Sequence, residues 1–317
     1  MFDHESRPAT LIEKARYTAS LTRAQALGRT DWILFTHLGL AKIQKSVPAS
    51  LRRPYAVFLH GIEAWKRLTS NEKQALAQAD LRIANSCYTA ARVAEAHPDV
   101  GPIVACPLAL PPSPHVTSAG PPAPALGPHA VLVVGRMNRN ERYKGHDELI
   151  DAWPLVVDKV PDAQLVIAGT GDDVQRLMEK AAASRAGGYI RFNGFVSKTR
   201  LDSLYQSAAL FALPSRGEGF GLVYLEAMAR RLACIGSIHD AAGEVIVDGE
   251  TGRLVDQHDV AALAETIAAL LLDEDNRRRM GEAGHARLTT EFTFERFRDR
   301  IRGLLHAELT TSAAAVV

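Results

Sequence analysis

Residues 213–230, LPSRGEGFGLVYLEAMAR, constrain this chain more than any other stretch. Three glycines within residues 214–221 mark a loop whose backbone can approach a ligand closely. Residues 222–230 lack Gly and Pro and are rich in Leu, Ala and Met, which predicts a helix. A glycine loop opening a helix turns unpaired N–H groups and the positive end of the helix dipole toward one point, a site suited to phosphate. Glu218 lies in the loop and Glu226 in the helix, among Leu222, Val223, Tyr224, Leu225, Ala227 and Met228. A carboxylate in so apolar a helix needs a partner. With the helix starting near Gly221, Glu226 sits roughly 7 Å along the axis with its side chain tilted back toward the loop, in reach of a sugar hydroxyl attached to a bound phosphate. Pairing with Arg230 one turn on is the other reading.

The rest of the chain alternates short apolar runs with helical patterns. A helix over residues 8–28 precedes strands at 32–36, 55–59, 81–84 and 103–106, with helices at 72–79 and 89–96. Asn85-Ser86 reads as a helix cap. Residues 111–129 hold seven prolines and form the expected linker between modules 1–110 and 130–309, leaving 310–317 as a frayed tail. The second module repeats the pattern: strands at 131–134, 164–168, 190–193, 210–213 and 233–236, then helices at 258–272, 274–287 and 292–308. Such alternation predicts open, mainly parallel sheets with ligands beyond the carboxyl ends of the strands. The loop after the strand at 131–134 gathers Arg136, Arg139, Arg142 and Lys144. Either it is a solvated loop or it holds a diphosphate, which Arg grips as a fork and Lys as a point charge.

Glu218 and Glu226 are separated by seven residues, and EGFGLVYLEAM with Pro-Ser before it resembles the E-x7-E signature of retaining GT-B glycosyltransferases of family 4. The resemblance runs from residue 131 to about 305. It implies a GT-B-like α/β fold of two Rossmann-like modules with parallel sheets, and a second module that binds a nucleotide diphosphate sugar. Gly135-Arg136 and Lys144-Gly145 resemble the elements that supply the diphosphate-binding Arg and Lys. Gly169-Thr170-Gly171-Asp172 resembles the family's G-x-G-[DE] turn, and Phe195-Val196 the segment whose backbone faces the base. Gly219, Phe220, Gly221 and Leu222 would then meet the donor through backbone N–H groups, Glu218 would hold donor-sugar hydroxyls, and Glu226 the ribose. His60, in Phe-Leu-His-Gly at a strand end, resembles the histidine that faces the donor sugar; a structural histidine is the other reading. His37 shares only its place at a strand end. The implied reaction moves a sugar to an acceptor hydroxyl with retention of configuration, catalysed by Glu218, Arg136, Lys144 and His60.

Two departures stand out. Cys106-Pro107-Leu108-Ala109 replaces the usual I-P-N-G turn, and the first module is shorter than the family's, as if its opening strands were missing. That shortening raises an alternative: a donor-binding protein without transferase activity, or a chain that self-associates through an uncovered sheet edge. No cofactor and no metal are expected, because no D-x-D motif stands at a suitable strand end. Three cysteines without ligand spacing, no apolar run near 18 residues and no signal-peptide pattern make the cytoplasm the expected compartment. Residues 1–120 carry fourteen Lys and Arg against nine Asp and Glu, with Lys42, Lys45, Arg52, Arg53, Lys66 and Arg67 contributing. This basic excess is either a solvated face or a peripheral contact with anionic lipid or acceptor. No concentrated basic tract points to nucleic acid.

Overall fold

The computed structural model describes residues 10–28, 30–112 and 126–314. It divides into two compact units, residues 1–107 with 298–317, and residues 108–297. Most of the proline-rich linker lies outside the described residues. The sequence pattern ended the second module at 309, whereas the structure groups residues from 298 onward with the first unit and continues the last helix to Ala314.

In the first unit, Thr10 caps helix α1 (Leu11–Ala26) through a capping box with Glu13. Strand β1 (Ile33–Phe35) leads into the short α2 (Leu38–Ala41). Strand β2 (Tyr55–Leu59) precedes α3 (Ile62–Trp65) and α4 (Ser70–Ala77); β3 (Leu81–Ala84), α5 (Cys87–Ala96) and β4 (Val104–Ala105) follow. The sheet order β1-β2-β3-β4 is the chain order, and every pair is parallel. All five residues of β2 are buried, as a strand covered on both faces requires. Phe35, Tyr55, Leu59, Leu76 and Val93 form its core. Ser86 caps α5 by accepting the Thr89 N–H at 2.9 Å, as its sequence position predicts.

The second unit opens with β5 (Ala130–Val134), α6 (His146–Lys159), β6 (Gln164–Ala168), α7 (Val174–Ala183) and β7 (Ile190–Phe192). It continues through α8 (Lys198–Ser207), β8 (Leu210–Ala212), α9 (Leu222–Met228), β9 (Cys234–Ser237), α10 (Ala242–Val245) and β10 (Gly252–Val255). Helices α11 (Val260–Leu272) and α12 (Glu274–Glu291) complete it, and α13 (Phe294–Ala314) follows, grouped with the first unit from residue 298 on. The parallel sheet of the second unit runs β10-β9-β8-β5-β6-β7. The chain therefore builds outward from β5 to β7 on one side, then returns to lay β8 against the other side of β5. That reversal makes the carboxyl ends of β5 and β8 a topological switch point, where open α/β sheets bind ligands. Trp153, Phe211, Tyr224, Leu132 and Ile167 lie in the core beneath. Among the described residues no helix is long and apolar enough to cross a membrane.

Candidate active site

The loops that leave β5 and β8 at the switch point are the cation loop and the glycine loop. They are locked together by backbone. Tyr143 O accepts the Arg216 N–H at 2.8 Å, and Gly145, at φ +81°, lies so close to Pro214 that a Cβ would come within 2.4 Å of the Pro214 carbonyl. Only glycine fits there, on both counts. The contact brings Lys144 to Glu218, with Nζ 2.5 Å from Oε1 and both side chains largely buried. Gly221 caps α9 at φ +86°, with the Tyr224 ring where a Cβ would be. Tyr224 in turn donates its hydroxyl to Leu213 O at 2.6 Å. The end of β8, the glycine loop and the first turn of α9 are thus one packed piece. Phe220 is buried against Phe292, so its side chain serves the core and only its backbone is available to a ligand. Leu222, the first residue of α9, is exposed.

The four cations separate into two pairs. Arg142 makes a bidentate contact with Asp173, at 2.8 and 2.9 Å, and Arg176 grips the same carboxylate. These hydrogen bonds, from Arg176 first and Arg142 next, hold the Asp173 carboxyl far below the usual range. Arg139 donates its backbone N–H to Asp172. Both arginines therefore tie the loop to the turn that leads into α7. Arg136 and Lys144 remain, and Arg136 is 62 % exposed with its guanidinium 2.5 Å from Glu141. Asn138 holds the other Glu141 oxygen at 3.1 Å.

The glycines of the 169–172 turn serve packing. A Cβ on Gly169 would meet Gly135 O at 1.9 Å, and one on Gly171 would meet Met137 O at 2.0 Å. Gly135 and Met137 also donate their N–H groups to Ala168 O and Thr170 O. The turn thereby sets the path of the backbone that carries Arg136. Gly169 donates to Gly194 O at 2.9 Å, which places the exposed Phe195 and half-buried Val196 directly after that contact. Behind Gly135 lies His146, buried, with Nε2 unpartnered among the described residues. Burial, and then the charge of Lys144, push its pKa down to about 4, so the ring is neutral at ordinary pH.

Glu226 accepts the Tyr205 hydroxyl at 2.9 Å, while Arg230 turns to Asp202 at 2.8 Å. The Glu226–Arg230 pairing is replaced by these two contacts, because α8 lies close enough to offer each a better-placed partner. Burial raises the Glu226 pKa. Sequence reasoning also missed Asp240, which is 6 % exposed and accepts N–H groups from Glu218 at 3.1 Å and Ala242 at 2.9 Å. Burial pushes its pKa up to about 7 against the lowering effect of those bonds. Tyr205, Asp240 and Glu141 carry no motif; only the structure brings them to the site.

His60 belongs to the first unit, at the carboxyl end of β2. Its Nε2 lies 2.7 Å from Thr36 O, and its ring stacks on His37 with centroids 6.3 Å apart. Pairing of β1 with β2 brings these two strand-end histidines together.

The family model for glycosyl transferases group 1 matches residues 122–287. The chain is 40 % identical to the phosphatidyl-myo-inositol mannosyltransferase of Mycobacterium leprae over 165 residues, 51 % of this chain and 42 % of that relative. With the glycogen synthase of Mycobacterium tuberculosis it shares 35 % identity over 172 residues, 54 % of this chain and 41 % of that one. The chain thus spans less than half the length of these curated relatives. Anabaena HepE, solved in complex with UDP and glucose, superposes with a TM-score of 0.74 at 20 % identity, covering 92 % of this chain and 81 % of that one. The GT-B-like fold predicted from the sequence is thereby shown, and with half of its length matched by the family model the chain belongs to the glycosyl transferases group 1 family.

Proposed function

We propose that the protein is a retaining glycosyltransferase that takes a sugar from a nucleotide diphosphate sugar and passes it to an acceptor hydroxyl. The observation that carries this reading is the junction of Lys144 and Glu218 at the switch point, beside the first turn of α9. In the reaction the bond between the anomeric carbon and the diphosphate breaks, and a bond to the acceptor oxygen forms with release of its proton. Negative charge gathers on the departing diphosphate. Lys144, Arg136 and the N–H groups at Gly219, Gly221 and Leu222 supply opposing charge and dipoles already oriented for it. On this reading no metal is needed. Glu218 holds donor-sugar hydroxyls, Glu226 the ribose, and the 195–196 backbone the base. The bound UDP of HepE supports a nucleotide ligand for this fold.

The test is a thermal-shift panel of nucleoside diphosphates and their sugars. The best donor is then incubated with hydroxyl acceptors, and NMR reads the anomeric configuration of the product. A shift with one nucleotide sugar and a product of retained configuration supports the reading. Inverted configuration refutes retention. Donor binding with no transfer to any acceptor favours the non-catalytic alternative, and no shift with any nucleotide refutes both.

A further inference from the structure

Several of the basic residues that stand out in residues 1–120 have no part in the donor reading. Lys42 lies 3.7 Å from Glu72. Three others, Lys45, Arg52 and Arg53, line one cavity of about 340 Å³ in the first unit. The cavity borders Tyr55, which begins β2, and Asp80, which precedes β3. It therefore lies at the amino ends of the strands. His60, at the carboxyl end of β2, is about 16 Å away along a five-residue strand at roughly 3.3 Å per residue. The cavity is distinct from the ligand end of its own sheet.

The chemistry of the wall is one-sided. Its single carboxylate, Asp80, is committed to the Tyr55 N–H at 2.9 Å. Among the described residues none of the three cations forms an ion pair. Arg52 is fixed by two backbone acceptors, Val47 O through Nε and Lys45 O through Nη2, each at 2.8 Å. The backbone of Arg53 is held at both ends: its N–H donates to Gln25 and its carbonyl accepts from Gln44. Its Nε, by contrast, is buried with no partner among the described residues. The buried Nε carries a desolvation cost, and two guanidiniums and an ammonium around one cavity are like charges that an anion bound there would offset. Gln74 adds an amide suited to hydroxyls or ester oxygens, whereas the Gln44 amide is spent on Gln25 and the Arg53 carbonyl. The volume stands at the low end for small-molecule pockets, which sets the size at one small polar headgroup.

We propose that this cavity binds a phosphate ester on a small polar group, with Arg53 and Lys45 as its charged contacts and Arg52 as a fixed neighbour. The phosphate can come from a soluble metabolite or from an anionic lipid headgroup, and the two sources are separable by experiment. Calorimetry of the full chain with glycerol 3-phosphate tests the first. Co-sedimentation with phosphatidylglycerol against phosphatidylcholine vesicles tests the second. R53Q and K45Q are suitable variants, because the fold uses the backbone of Arg53, and among the described residues the Lys45 side chain holds only the exposed Asn71 amide. Circular dichroism checks that each is folded, and either one alone suffices.

We expect saturable binding of glycerol 3-phosphate, or selective binding of the phosphatidylglycerol vesicles, that each variant weakens by about fivefold or more and that salt screens. K144A, a change in the donor site, should leave that binding intact. Binding abolished by K144A but untouched by R53Q and K45Q would assign the phosphate to the donor site and overturn the proposal. So would the absence of binding to both probes.

Discussion

Asp240 accepts the backbone N–H of Glu218 at 3.1 Å, and the Glu218 side chain grips Lys144 at 2.5 Å. A buried carboxylate thus underpins the loop on which the candidate site depends. Ala241 N–H returns to Glu218 O at 3.2 Å, closing the contact from the other side. The burial of Asp240 and, after it, the negative charge of Glu218 oppose ionisation of Asp240.

This arrangement gives a pH prediction. The folded-state pKa of Asp240, about 7, lies above the ordinary carboxyl value of 3.8. Its contribution to stability is therefore full below about pH 4 and is lost as pH rises toward 7. Relative to D240N, the wild type should lose on the order of 1–3 kcal/mol between pH 5 and pH 8. Urea denaturation of both proteins across that range measures it. Parallel pH profiles would show that Asp240 does not titrate there.

Glu226 meets Tyr205, and the ribose reading requires that carboxylate to be available from one side. E226A should weaken nucleoside as well as nucleoside diphosphate by about 1.5–3 kcal/mol, the scale of a charge-assisted hydrogen bond. Y205F removes a neutral donor to the same carboxylate and should cost about 0.5–1.5 kcal/mol. Isothermal titration with both ligands decides it. An unchanged affinity in a folded E226A protein would leave the carboxylate with only its structural contact to Tyr205.

The elements of the second unit were legible because local chemistry and tertiary demand agree there. β5 reads as a continuous apolar run and is buried, and the glycines at 145, 169 and 221 mark positions where a side chain has no room. What was illegible depends on contacts between distant segments. Asp240 lies 22 residues beyond Glu218, and Tyr205 lies 21 before Glu226. Neither spacing has a local period that could reveal it. Arg230 illustrates the limit from the other side: the helix expected over 222–230 ends at Met228, so Arg230 lies beyond it and Asp202 on α8 becomes its partner. Arg142 is similar, since proximity to Lys144 in sequence gave no sign that Asp173 would draw it away.

The glycine contacts predict large stability effects far from any ligand chemistry. G145A places a side chain at φ +81° against a carbonyl, and G169A does the same at φ +151°. Each should cost roughly 2–4 kcal/mol, through backbone strain and displacement of the neighbouring loop. G188A is the control: among the described residues nothing lies within 4 Å of its Cβ, and the change should stay within about 0.5 kcal/mol. Thermal denaturation of the three variants measures the contrast. Equal midpoints would mean that the two loops can separate without cost.

The last prediction concerns Arg136, whose guanidinium rests on Glu141. A diphosphate that used Arg136 would have to take it from that carboxylate. The two partners differ in mobility: Arg136 is mostly exposed, whereas Glu141 is 15 % exposed and also held by Asn138. An ion pair with one exposed partner is worth about 0–1 kcal/mol, so the displacement is affordable but measurable. E141Q removes the competing charge and should tighten nucleoside diphosphate binding by about two- to fivefold while leaving nucleoside unchanged. R136A should weaken the diphosphate and spare the nucleoside. Raising the salt should shrink the difference between E141Q and wild type, because the pair it removes is accessible to ions. Titration of both ligands at low and high salt gives all of these comparisons. The sign is decisive: if E141Q weakens the diphosphate instead, Glu141 orients Arg136 toward the ligand. In that case the ion pair is part of the bound arrangement, and the guanidinium stays on Glu141 when the diphosphate arrives.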